Sequence, residues 1–161
     1  MKRTMTVFAA LVTAVAALWI QPSAAQAAPY SSGNYGAFAY EGSYPTIGGC
    51  SGTFFLPSDV PGGSVQYASW QGRQVKLEFY YSHRCGAYGR VSNAPQGCTV
   101  YVYRDSNGDR NYDGVVGESV DPGIDFAYTK IANNLNGRLA KATLVCRDVH
   151  GSWALAATDW Y

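Results

Sequence analysis

Hydrophobic and polar residues alternate with period two along much of this chain. In RQVKLEFYYS, residues 73–82, Val75, Leu77, Phe79 and Tyr81 share one parity, and Lys76, Glu78 and Tyr80 the other. That pattern, rich in β-branched and aromatic residues, predicts a half-buried strand. TVYVYRD, residues 99–105, sets Val100 and Val102 on one face and Tyr101 and Tyr103 on the other. RLAKATLVC, residues 138–146, aligns Ala140, Ala142, Leu144 and Cys146, and SWALAATDWY predicts a last strand. Turn signals lie between them: Asn107-Gly108, which favours a tight hairpin turn, the 133–137 segment AsnAsnLeuAsnGly, and His150-Gly151. The only helical candidate is the short stretch 127–135, AYTKIANNL. Strands about ten residues apart predict an all-β fold, a small antiparallel β-sandwich or barrel.

The start of the chain reads differently. MKRT carries Lys2 and Arg3, an uncharged apolar run extends from Met5 to Ile20, and Ala25-Gln26-Ala27 follows. A basic head, an apolar middle and a small-residue exit form a secretory signal peptide over residues 1–27. A Gly/Ser/Tyr-rich lead-in would then occupy 28–49, with a short strand at 35–40, and a single β domain 50–161. Loss of the signal removes two basic residues and leaves ten Lys and Arg against eleven Asp and Glu, a net charge near −1. Such a balance argues against a nucleic-acid binder, whose affinity comes from neutralising phosphates, and against adhesion to an anionic membrane. The expected product is a secreted, extracellular monomer of about 134 residues, enough for one domain.

All four cysteines, Cys50, Cys85, Cys98 and Cys146, lie in the exported part. An even count in an oxidising compartment predicts two disulfides. Zinc is the rival, but there is no Cys-x-x-Cys pair and only His83 and His150 could assist. Three connectivities are open. Strand parity favours one: Cys98 is in phase with Val100, and Cys146 with Leu144, so both point inward and can meet. Cys50 then pairs with Cys85.

Several of these residues resemble a known family. GRQVKLEFYYSHRCGAYGRVSNAPQG, TVYVYRD, AYTKIANN and the terminal ALAATDWY are similar to the YjfA-type domain of secreted bacterial proteins, whose function is unknown. Val75, Leu77, Tyr81, Ser82, Cys85, Arg90, Asn93, Ala94 and Gly97 carry the likeness, with Ala127-Tyr128-Thr129 and Tyr161, over about residues 50–161. The family often places Trp where Tyr88 stands and a Cys near the terminal Tyr, where this chain has Ala156 and Ala157; Cys98 is this chain's own. The resemblance implies export, a Gram-positive source and a small β-rich domain, and supplies no activity.

The most chemically loaded stretch is RDSNGDRNYDG, residues 104–114, with Asp105, Asn107, Asp109, Asn111 and Asp113 at every second position. A calcium loop starting at Asp109 would place Gly114 and Val116 suitably, but Val120 stands where a bidentate Glu belongs. A looser calcium site remains open. The stronger reading is a hairpin tip, where Asn, Asp and Gly gather because they tolerate left-handed backbone and bond their own main chain. Asp148, His150 and Ser152 alternate, but residues two apart on a strand stand about 6–7 Å apart, too far for a triad. Nothing pairs Glu41, Glu78 or Glu118 as glycosidase carboxylates. The thirteen tyrosines point instead to surface recognition, with Tyr80, Tyr101 and Tyr103 on outer faces as candidates for binding a cell-wall glycan or an extracellular protein. The leading expectation is a binding or structural module without catalytic machinery or cofactor. Two alternatives are an inhibitor of an extracellular enzyme, acting through loop 86–97, and a small secreted hydrolase.

Overall fold

The computed structural model describes residues 40–161; the expected signal peptide, its cleavage point, the short strand expected at 35–40 (all but Tyr40) and most of the lead-in lie outside them. Eight strands follow in order: β1 (Val65–Trp70), β2 (Arg73–Ser82), β3 (Gly86–Ser92), β4 (Cys98–Asp105), β5 (Gly114–Ser119), β6 (Phe126–Tyr128), β7 (Leu139–Asp148) and β8 (Gly151–Ala157). They form two four-stranded antiparallel sheets, β1-β2-β3-β6 and β5-β4-β7-β8. The all-β sandwich expected from alternation is therefore the fold. Among the described residues no helix is long and apolar enough to cross a membrane.

The two inner faces make one core. Val75, Leu77 and Phe79 on β2, Ala87 and Val91 on β3, Val100 and Val102 on β4, and Ala140, Ala142, Leu144 and Cys146 on β7 are all fully buried. Gly89 sets how closely the sheets approach. It faces inward between Ala87 and Val91, opposite Phe79. A Cβ built there would lie 2.8 Å from Val100 Cγ2 and 3.1 Å from Val102 Cγ2. Only a residue without a side chain lets β3 settle onto β4 and β7 at this spacing.

Both disulfides join the residues that parity paired. Cys98 and Cys146 stand directly opposite each other on β4 and β7. Cys50 ties the turns before β1 to Cys85 at the β2–β3 corner. The bridges span 35 and 48 residues, and the chain-entropy account assigns loops of that length about 4 kcal/mol each. One end of the sandwich is closed by Arg104, which shares the inward parity of Val100 and Val102. Its guanidinium meets the buried Glu41 carboxylate at 2.5 Å. Glu41 belongs to the 28–49 lead-in, whose described part is tied to the domain, with Gly42 donating to the Ile131 carbonyl and Ile131 to that of Ser43.

Three local expectations are corrected. Residues 127–135 are not helical, because β3 needs a partner there. Phe126–Tyr128 pair with it, Thr129 and Gly89 exchange hydrogen bonds, and Ala132 bridges Ala87. Asn107-Gly108 does not make a two-residue turn: residues 106–113 form the whole β4–β5 connection. Loop 86–97 is not a protruding element, since its first seven residues are strand β3 between β2 and β6. The Asn136-Gly137 turn does form, with both residues at positive φ.

Gly89→Ala should cost about 1–3 kcal/mol, the usual range for overpacking a filled core. A shift of the urea midpoint measures it, and an unchanged midpoint would mean that the sheets have slack at this contact.

Candidate functional site

The Asp/Asn loop turns its oxygens on itself. Asp105 is fully buried, and its carboxylate accepts the backbone N–H groups of Asn107, Gly108 and Arg110 at 2.9, 2.8 and 2.6 Å. Asp113 accepts both the N–H and the hydroxyl of Ser106 at 3.0 Å. Asp109 accepts Asn111 N–H at 2.7 Å, and the Asn107 side-chain oxygen accepts Asp109 N–H. Burial alone would raise the Asp105 pKa, yet the backbone donors, Arg110 first, outweigh it and hold the carboxyl below its ordinary 3.8. Among the described residues no group of three or more His, Cys, Asp or Glu side chains converges to hold a metal ion. Asp148 likewise accepts the N–H of His150 at an exposed hairpin tip.

Of the three tyrosines singled out from sequence, Tyr101 and Tyr103 are neighbours, ring centroids 6.2 Å apart, and Tyr80 lies apart from both. Tyr101 and Tyr103 lie on the outer face of the second sheet. Tyr101 covers its cross-strand partner Gly117, where a Cβ would stand 2.6 Å from the ring. Tyr103 packs edge-on against Tyr112, ring centroids 4.9 Å apart. Tyr80 is on the opposite side of the molecule, on the outer face of the first sheet, and there it belongs to a larger assembly.

That assembly is built by alternation on β3. Because Ala87, Gly89 and Val91 face inward, Tyr88 and Arg90 face outward, opposite Tyr80 and Glu78 on β2. Tyr80 stacks flat on Tyr88, centroids 4.8 Å apart and planes 3° apart. On the other side Arg90 faces Tyr128 of β6, and Tyr128 lies nearly parallel to Phe126. Phe54 meets Tyr88 edge-on at 4.8 Å, and Tyr44 meets Tyr128 at 6.0 Å. Of these, Phe54, Tyr88, Phe126 and Tyr128, together with Arg90 and a wall of Pro45, Thr46, Ser51 and Gly52, enclose an open groove of about 380 Å³. The wall is held by the Cys50–Cys85 bridge and by Thr53, whose hydroxyl donates to the Cys50 carbonyl and meets that of Ser82. A second groove of about 220 Å³, bordered by Glu118 and Asp121, shares Phe126 and Tyr128, so these two rings form a ridge between the grooves.

Charge enters the larger groove at one point. Glu78 faces outward by parity but is only 3% exposed. It is covered by Lys76, whose ammonium lies 2.6 Å away, and by the Tyr80 hydroxyl at 3.3 Å. Arg90 lies 3.8 Å from the second carboxylate oxygen and keeps a half-exposed side chain at the groove. Burial, and then the neighbouring Tyr80, push the Tyr88 phenol up to about 12, so at neutral pH it stays protonated.

Sequence reasoning offered Tyr80 as a binding residue but not Phe54, Tyr88, Arg90, Phe126 or Tyr128; Tyr88, Arg90 and Tyr128 entered only through the family resemblance. The signal for Tyr88 and Arg90 was available: in GAYGRVS they alternate with Ala87, Gly89 and Val91. Phe54 and Tyr128 reach the groove through turns and an edge strand with no period to read. No family model, curated protein or solved structure matches the chain.

Two outcomes follow for the loop. Its melting midpoint should be the same in about 1 mM calcium, the weak end of extracellular loops, as in chelator; a rise with calcium would show a bound ion. Asp105, with a lowered folded pKa, contributes stability that is present above about pH 4 and lost as the pH falls through its folded value. Asp105→Asn should therefore be less stable than the parent at neutral pH and flatten the decline below about pH 4, read from urea midpoints across that range.

Proposed function

We propose that this chain is an exported binding module whose aromatic groove takes a saccharide chain of the kind found in cell walls. The observation that carries this reading is the open groove on the first sheet, floored by Tyr88, Tyr128 and Phe126 and rimmed by hydroxyls and Arg90. A sugar ring has an apolar face of C–H groups and a rim of hydroxyls. Aromatic faces complement the first, and the Thr46, Ser51 and tyrosine hydroxyls the second. The volume, near the lower end of the usual ligand-site range, suits a few sugar units; a stable protein partner needs about 800 Å² on each side. Two disulfides fit the oxidising surroundings in which such a ligand is met, as does the resemblance to YjfA-type secreted domains.

The inhibitor reading loses its reactive element, because residues 86–92 are held between two strands. The hydrolase reading has one feature in its favour, Glu118 and Asp121 beside the smaller groove. It also requires release of reducing ends from a bound polysaccharide.

The full exported chain should be retained by insoluble cell-wall polysaccharide. Phe126→Ala and Tyr128→Ala should each weaken retention about tenfold, the loss expected when an aromatic stacking contact is removed. Tyr101→Ala, on the far side of the molecule, should bind as the parent does. Equal retention of all four proteins, with melting midpoints confirming that each is folded, would overturn the assignment.

A further inference from the structure

We propose that the groove selects acidic saccharides, and that Arg90 is the residue that reads their carboxylate; this rests on the saccharide reading above. Arg90 is the one charged side chain among the described residues lining the larger groove. Its counter-charge is already shared. The Lys76 ammonium lies 2.6 Å from one Glu78 oxygen, while Arg90 stands 3.8 Å from the other, too far for a hydrogen bond. Two cations therefore stand over one carboxylate, and the surplus positive charge is Arg90's. Its side chain is 43% exposed against 4% for Glu78, so the guanidinium reaches the groove while its partner lies beneath.

The chemistry of the surplus defines the ligand. A guanidinium offers paired N–H donors in a plane, matched to the two oxygens of a carboxylate. A single surplus charge suits a singly charged group, whereas a phosphate monoester, near −2, calls for more than one cation. Arg90 is the direct cross-strand neighbour of Tyr128, one strand spacing away, about 4.8 Å. A sugar ring lying on the aromatic ridge can thus present a carboxylate to Arg90 without leaving the ring face. Uronic-acid units have that combination of an apolar face and an equatorial carboxylate.

The test uses polygalacturonate and the same polymer with its carboxyl groups reduced to alcohols, measured by calorimetry with the full exported chain. The carboxylated polymer should bind about ten- to a hundredfold more tightly, the range expected for a charge-assisted hydrogen-bonded pair, and added salt should erode that advantage. Arg90→Gln should bind the two polymers equally, at the affinity of the parent for the reduced one. Arg90→Lys, which keeps the charge but not the fork, should retain part of the preference. Melting midpoints show that each variant is folded, and if Arg90→Gln is not, Arg90→Lys carries the test. Equal binding of both polymers by the parent would overturn the role of Arg90 while leaving the saccharide reading standing. So would an Arg90→Gln variant that keeps the preference, or tighter binding of a sulfated polymer. Binding of neither polymer, together with no retention on wall polysaccharide, would sink both.

Discussion

The contact of Gly89 with Val100, Val102 and Ala142 is the constraint from which the rest of the site follows. It fixes which face of β3 is inward. On a strand, neighbouring residues point to opposite faces, so a slip of one position would turn the whole set over. With Gly89 pressed against the second sheet, Tyr88 and Arg90 have only the outer face available. There they meet Tyr80 and Glu78 on one side and Tyr128 on the other. Packing in the core and chemistry on the surface are thus two readings of one register.

The same alternation explains what could be read from sequence and what could not. The inward sets on β2, β4 and β7, and through them both disulfide pairings, follow from period two, because apolar residues and thiols occupied every second position. Parity and environment diverge at a few positions. Glu78 is outward by parity and polar by nature, yet Lys76, Arg90 and Tyr80 bury it. Arg104 is inward by parity and charged, and is accommodated because Glu41 arrives from a distant segment to meet it. Residues 127–135 carry a weak helical pattern, but the unpaired edge of β3 takes them as extended chain. The groove was least legible of all, since half of it comes from turns that the Cys50–Cys85 bridge places against the sheet.

The buried charges also behave in opposite ways. Asp105 is served by backbone donors and is held as a carboxylate. For Glu41, burial prevails over the Arg104 and Arg138 charges and the Asn133 N–H, and raises its pKa above 4.5. Mild acid therefore acts in contrary senses on two carboxylates at the same end of β4: protonation is resisted at Asp105 and eased at Glu41, the partner of Arg104. In the linkage account, Glu41 contributes stability that is full below about pH 4.5 and lost as the pH rises through its folded value.

The bridge beside the groove has a further consequence. A recognition surface assembled from mobile turns must freeze them each time a ligand arrives, and that ordering subtracts from affinity. Here the Cys50–Cys85 link holds the Pro45–Phe54 wall against the β2–β3 corner. The entropy of arranging that wall is settled at folding, so in the binding role proposed above a small number of rings and one guanidinium suffice where a looser rim would need a much larger area of contact.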